Sequence, residues 1–393
     1  MDIGSLILAG FLALGMIGTD AVLNAGDISF DIQVTDDLSK KGYTPQLVDA
    51  MMDNDLRELT DFRSVVRPPQ IRTAQEKSIV GAIADSLNLK GVTTAFQADF
   101  GLNPVRLSGS LMPIGKDNQQ LRFILAGNSR HTGEFIIDAT SGDHTLPVFL
   151  QDMAVQVVAR LEPYAAAFHQ FNLLSHSVVN HAPTTANEPS FKAFIDELVV
   201  AETGRPDSDL DHAAFHNLLG LTAMMMRTPA QAEDDFKTAL LLDPGLGIPA
   251  LNLGLEYVSE HRFDEAIALA ERAAASPSVR RVPYVISNAY TVKALALWGQ
   301  HDLQGASDNF LASVRLNPGS LWGYFYWAEL LESTGNTKDA ALLRARAEAN
   351  MDATETFPEV AFQHVRVLTA ENFALQPIDM AGLRHVAEIY AQK

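Results

Sequence analysis

Histidine and carboxylate spacing is the first place to look for chemistry. His212 and His216 stand four residues apart, so a helix would put both rings on one face, where a metal ion could bridge them. A metal also needs a third ligand, so the expectation is two capping or solvated rings and no metal. Asp207, Asp209 and Asp211 alternate as at the opening of a calcium-binding loop. His212 then takes the slot that requires glycine and Leu218 the slot of the closing glutamate, which rejects calcium. These acids are expected to sit at the positive N-terminal end of a helix. His169, His176 and His181 are irregularly spaced, and Trp298, Trp322 and Trp327 read as packing residues. No glycine-rich phosphate loop, nucleophile elbow, metalloprotease helix or kinase signature appears. Zero cysteine removes thiolate catalysis, iron–sulfur clusters and disulfides together. The expectation is a protein that is not an enzyme and carries no cofactor.

Composition narrows the partners. The chain has 393 residues, 47% hydrophobic and 20% charged, enough for two or three domains with real cores. Its net charge of −19 repels phosphate backbones, so nucleic acid is not an expected partner. A protein surface or a membrane remains.

Residues 3–19 carry no charge and interleave Gly4, Gly10, Gly15 and Gly18 with apolar side chains. Seventeen helical residues reach about 25 Å, marginally enough for a hydrocarbon core of ~30 Å. A cleaved signal peptide would want an early basic residue, and the first one is Lys40. The expectation is a single-pass transmembrane anchor over residues 1–25, with the bulk of the chain on the outer, periplasmic side. A buried helix of a soluble domain is the competing reading.

Residues 26–165 read as a small α/β domain. Alternation predicts a strand at 28–34, and Thr44-Pro45 opens a helix reaching Phe62 with Leu47, Met51, Leu56 and Leu59 on one side. A short strand is expected at Ser64-Val65-Val66 and a second helix at 77–89. Strands at 104–112, 120–125 and 133–137 and a helix at 146–161 follow, which implies a mixed sheet with helices on one face. The stretches VRLSGSLMPIGKDNQQLRFIL, TGEFI and FLQDMAVQVVARLEP resemble the amino-terminal domain of the Tol-system propeller protein and related sensory regions of bacterial envelope regulators.

The repeats are more specific. From Asp211 the sequence recurs at 34 residues. One unit supplies Leu219-Gly220, Ala232, Phe236, Ala239 and Pro244; the next supplies Leu253-Gly254, Tyr257, Ala266 and Ala273. A third has Ala294, Ala306, Phe310 and Pro318, and a fourth Trp327-Ala328, Gly335, Ala340 and Ala347. Six extra residues fall near Val279–Val282. The pattern resembles the tetratricopeptide repeat family and places four units within residues 206–352. That resemblance implies an all-α solenoid whose inner face is lined at the second, fifth, ninth and twelfth positions of each unit. Among those positions are Leu221, Met224, Ile248, Leu251, Leu255, Val258, Leu295, Trp298, Trp322 and Phe325. Being apolar, they suit an apolar or helical segment rather than a carboxylate. Either a partner protein or the chain's own C-terminal helices could fill the groove.

A helical connector is expected over 166–205, with a loop at 180–189 and a helix at 190–202, and capping helices over 353–393, including one at 358–368. The functional expectation is a membrane-anchored scaffold in a bacterial envelope. The alternative is an accessory or assembly subunit of a larger membrane complex, docked through the transmembrane helix.

Overall fold

The structure is a computed structural model that describes residues 27–62, 64, 66, 72–73, 105–114, 120–129, 133–179, 193, 209–226, 228–350 and 360–361. The expected anchor at 3–19, the helix at 77–89 and nearly all of the segments at 180–202 and 353–393 lie outside the described residues. Among the described residues no helix is long and apolar enough to cross a membrane. The chain divides into two compact units, Met1–Phe62 with Pro69–Ala166, and Arg63–Pro68 with Ala167–Lys393.

The first unit is built on a five-stranded mixed sheet. Its strands are β1 (Asp27–Val34), β2 (Arg72–Thr73), β3 (Val105–Ile114), β4 (Gln120–Ser129) and β5 (Gly133–Thr140), in the order β2-β1-β3-β4-β5. β1 runs parallel to both neighbours, with Ile28 opposite Val105 and Val34 opposite Leu111. β3, β4 and β5 form antiparallel pairs. Four helices are assigned along this part of the chain: α1 (Asp36–Lys40), α2 (Pro45–Thr60), α3 (Leu146–Leu161) and α4 (Pro163–Val179). Thr44 caps α2 by accepting the Leu47 N–H at 3.3 Å, and Pro45 fits the first turn, where no amide partner is needed. Alternation along the strands puts Ile28, Ile32, Leu107, Leu111, Phe123, Leu125, Phe135 and Ile137 into one core with α2 and α3.

Three expectations change. The buried stripe of α2 is Val48, Met52, Leu56 and Leu59, while Leu47 is 42% exposed and Met51 half-buried. A run of i, i+4 steps through Val48 makes a straighter contact with the sheet than one through Leu47. Ser64 and Val66 are not in a strand; the strand parallel to β1 comes later, at Arg72–Thr73. β4 and β5 run longer than expected because Ala126-Gly127-Asn128 continues the ladder instead of turning. A Cβ on Gly127 would lie 2.3 Å from the Leu107 side chain and 2.8 Å from the Phe135 ring, so glycine there makes room for packing.

The second unit is a tetratricopeptide-like helical repeat. Four hairpins follow one another: α5 (Asp209–Met225) with α6 (Pro229–Leu242), α7 (Gly247–Ser259) with α8 (Phe263–Ala275), α9 (Pro283–Gly299) with α10 (Leu303–Leu316), and α11 (Leu321–Ser333) with α12 (Thr337–Ala349). Helices come close where side chains are small: Ala232, Ala266, Ala306 and Ala340 are all fully buried at equivalent positions. Phe236 packs on Gly220 of its paired helix, and Phe236 and Phe310 are both fully buried. His261, His301 and Gly335 occupy equivalent turns with positive φ (60°, 66° and 85°), the left-handed conformation that stops a helix. Near the six additional residues the chain makes a 3-10 turn at Pro277–Val279, with Val279 buried, and α9 starts at Pro283.

Candidate protein-binding face

The first helix of each hairpin supplies the inner row. α5 contributes Leu221 and Met224, α7 Ile248, Leu251, Leu255 and Val258, α9 Leu295 and Trp298, and α11 Trp322 and Phe325. Nine of these ten side chains are buried, and only Trp298 is half-buried. The strip is therefore not a cleft open to water. On α7 every residue from Gly247 to Val258 is buried, so this helix is covered on all sides. A hydrophobic row of that length gains free energy from any cover the chain can supply.

A described part of that cover is the pair Val360–Ala361, which is 0% and 1% exposed. The Ala361 N–H donates to Asn252 Oδ1 at 2.8 Å. Asn252 Nδ2 in turn donates to Asn217 Oδ1 on α5 at 3.0 Å. Asn252 lies four residues after Ile248 and three before Leu255, hence on the same side of α7. Two asparagines thus place a carbonyl oxygen inside an apolar wall, where it receives a main-chain amide. Sequence reasoning put neither Asn252 nor Ala361 among the site residues. The available signal was an amide side chain inside the run GIPALNLGL, whose burial demands a partner.

Further along the row, donors go unmatched. Asn288 Nδ2 on α9 and the Tyr326 hydroxyl on α11 are buried with no hydrogen-bond acceptor among the described residues. Tyr326 holds the sixth position of its unit, the position Asn252 holds in the second. Its ring packs 5.2 Å from Phe325 and 6.2 Å from Trp322. Burial raises the Tyr326 hydroxyl far above the ordinary range.

Charged residues cluster at two places in the repeats, around Glu233 and, at the ninth and twelfth positions of the last unit, around Glu329 and Glu332. Burial acts to raise Glu233, but hydrogen bonds from Lys237, Tyr257 and Arg262 outweigh it and hold the carboxyl at about 2. The Arg262 guanidinium also meets Glu260 and Glu265 and lies 3.5 Å over the Tyr257 ring. For Glu256 burial dominates, and with the charges of Glu260 and Glu233 it pushes the carboxyl up to about 7. Arg344 ties Glu329 and Glu332 together at the last hairpin.

The other candidate groups have structural employment. His216 Nδ1 lies 2.9 Å from Asp235 Oδ1 on the paired helix. Trp327 Nε1 donates to Ser307 across two hairpins at 3.1 Å, the packing role expected of it. Among the described residues no three His, Asp or Glu side chains converge on a metal position.

No family model matches the chain, and no curated protein matches it. The resemblance of residues 28–163 to the Tol-propeller domain finds no support. Solved structures do align with it. MamA (41-end) from Desulfovibrio magneticus RS-1 is 14% identical over 48% of this chain and 98% of its own, with a TM-score of 0.34. PilF of Pseudomonas aeruginosa is 17% identical over 59% and 100%, with a TM-score of 0.37. PilW, described as a widely conserved type IV pilus biogenesis factor, is 15% identical over 56% and 91%, also at 0.37. Scores this low carry no weight for function, and the repeat fold rests on the chain's own helices.

Proposed function

We propose that the chain is a non-enzymatic scaffold that binds polypeptide on the inner face of its repeats. The observation that supports this reading is the hydrogen bond from the Ala361 amide to Asn252, set among Ile248, Leu251 and Leu255. Apolar side chains supply affinity without sequence detail, and a side-chain amide that accepts a backbone N–H fixes the register of the bound strand. The charge-free residues 3–19 would tether this scaffold to a bacterial envelope membrane, with the repeats on the periplasmic side.

Two experiments test it. A photo-crosslinking residue at position 298, where the native tryptophan is half-buried on the inner row, should yield a discrete protein adduct in cells. The same residue in place of Leu241, which is 80% exposed, should not. Absence of any adduct at 298 would remove the scaffold reading. Alkaline carbonate extraction tests the tether: the intact protein should stay with the membrane pellet, and release would sink the anchor.

The second reading, an accessory subunit of a larger membrane complex, draws on Gly4, Gly10, Gly15 and Gly18. Small residues at such spacing let membrane helices approach closely. Replacing all four by leucine should leave membrane retention intact but disperse a complex seen in mild detergent if that reading holds.

A further inference from the structure

The sheet of the first unit ends in a strand whose outer edge is open among the described residues. β5 pairs with β4 in an unbroken register, from Gly133 opposite Ser129 to Thr140 opposite Arg122. Just past it, the Ser141 N–H donates to the Leu121 carbonyl at 2.8 Å. In an antiparallel ladder, residues that bond one neighbour alternate with residues that bond the other. Ser141 faces β4, so Ala139, Ile137 and Phe135 face it too. The main-chain groups of Glu134, Ile136, Asp138 and Thr140 therefore point away from β4. Among the described residues no main-chain group meets them. Such an edge is a template for a further strand unless proline, lysine or a bulge blunts it. Gly133–Thr140 has none of the three.

The same four residues are exposed. Ile136, at 69% exposure, stands between two carboxylates on one side of the sheet. Arg122 on β4 holds Asp138 with two hydrogen bonds, at 2.8 and 2.6 Å. Glu134 has no cationic partner among the described residues. A second copy of the chain is a poor occupant of this edge. Full antiparallel overlap of two copies of β5 sets Ile136 against Asp138 of the other copy. Sliding the pair by two residues sets Glu134 against Asp138. The first opposes an apolar group to a charge and the second opposes like charges. A basic strand meets neither penalty, and the net charge of −19 attracts it.

We propose that β5 accepts an added strand from a partner protein. In that strand a β-branched residue faces Ile136, and a lysine or arginine two positions away faces Glu134. Main-chain bonds supply the affinity, and the two side-chain pairs supply the choice of partner. The proposal does not rest on the inner row of the repeats.

The test uses the full-length chain and two fluorescein-labelled synthetic peptides, titrated by anisotropy. One is Thr-Lys-Thr-Val-Thr-Lys-Thr, which presents the same face in either strand direction; the other has glutamate for both lysines. The wild-type chain should bind the lysine peptide at least tenfold more tightly than the glutamate one. Glu134→Lys should reverse that preference. Ile136→Pro removes an outward amide that bonds nothing in β4, and it should abolish binding while the circular dichroism spectrum is kept. No binding of the lysine peptide to wild type, or equal binding of both peptides, would overturn the proposal. Full binding by a folded Ile136→Pro chain would do so too. If that variant does not fold, the Glu134→Lys exchange decides alone, and an unchanged preference overturns the proposal. Sedimentation velocity covers the remaining occupant: a wild-type dimer that Glu134→Lys disperses would assign the edge to a second copy instead.

Discussion

The Phe236 ring lies against the bare backbone of Gly220, and a Cβ built on that glycine would stand 2.5 Å from the ring edge. The first hairpin closes around this contact. Gly220→Val should therefore cost about 1–3 kcal/mol through overpacking. Phe236→Ala should cost about 3–5 kcal/mol by opening a cavity between helices. Urea denaturation followed by circular dichroism checks both; a loss under 0.5 kcal/mol in either would mean that the hairpin does not depend on this contact.

Glu256 gives the repeats a pH dependence. Folding raises its carboxyl from 4.5 to about 7, so the native chain binds this proton more tightly than the unfolded one. The contribution is then fully present below 4.5, falls as pH rises through the interval, and has gone above about 7. By linkage the loss is at most about 3 kcal/mol. Glu256→Gln should raise the melting temperature at pH 8 and leave it nearly unchanged at pH 4.5. An unaltered melting temperature at pH 8 would contradict the burial of an ionised group there.

Glu233 should behave in the opposite sense. Held at about 2 against an ordinary 4.5, it stabilises the fold above 4.5 and ceases to do so as pH falls towards 2. Glu233→Gln should destabilise at pH 7 by about 1–3 kcal/mol, since Arg262 and the Tyr257 hydroxyl lose a charged partner. Thermal melts at pH 7 and pH 3 separate the cases: the deficit should shrink at the lower value.

Trp298 and Phe325 look alike in the sequence, both being aromatic at inner-row positions, and the structure separates them. Trp298 is half-buried, whereas Phe325 is 6% exposed and packs edge-on against Trp322 at 6.5 Å. Phe325→Ala should cost about 3–5 kcal/mol of stability, and Trp298→Ala about 1 kcal/mol or less. Equal losses in a denaturant titration would show that the inner row is uniform.

What the sequence showed and hid follows from range. The hairpins were legible because each is local: small residues at Ala232, Ala266 and Ala306 and aromatics at Phe236 and Phe310 recur in steps of 34 residues once the six-residue insertion is allowed for. Helix α3 was legible to the residue because Thr145 and Pro147 open it and Glu162-Pro163 closes it. The rotation of α2 and the extra length of β4 depend on what the sheet presents to them, which no local pattern encodes. The same holds more strongly for the inner face. Its apolar row was readable, but its cover is 109 residues from Asn252 along the chain, and nothing near either residue announces the pairing.

The most direct measurement is amide hydrogen exchange at Ala361 in the full-length protein. If the inner face holds Val360–Ala361 through Asn252, the Ala361 amide exchanges slowly in the wild type. Asn252→Ala speeds it at least tenfold, while amides inside α12 are unaffected. Fast exchange at Ala361 in the wild type, or slow exchange that Asn252→Ala does not change, would contradict the account.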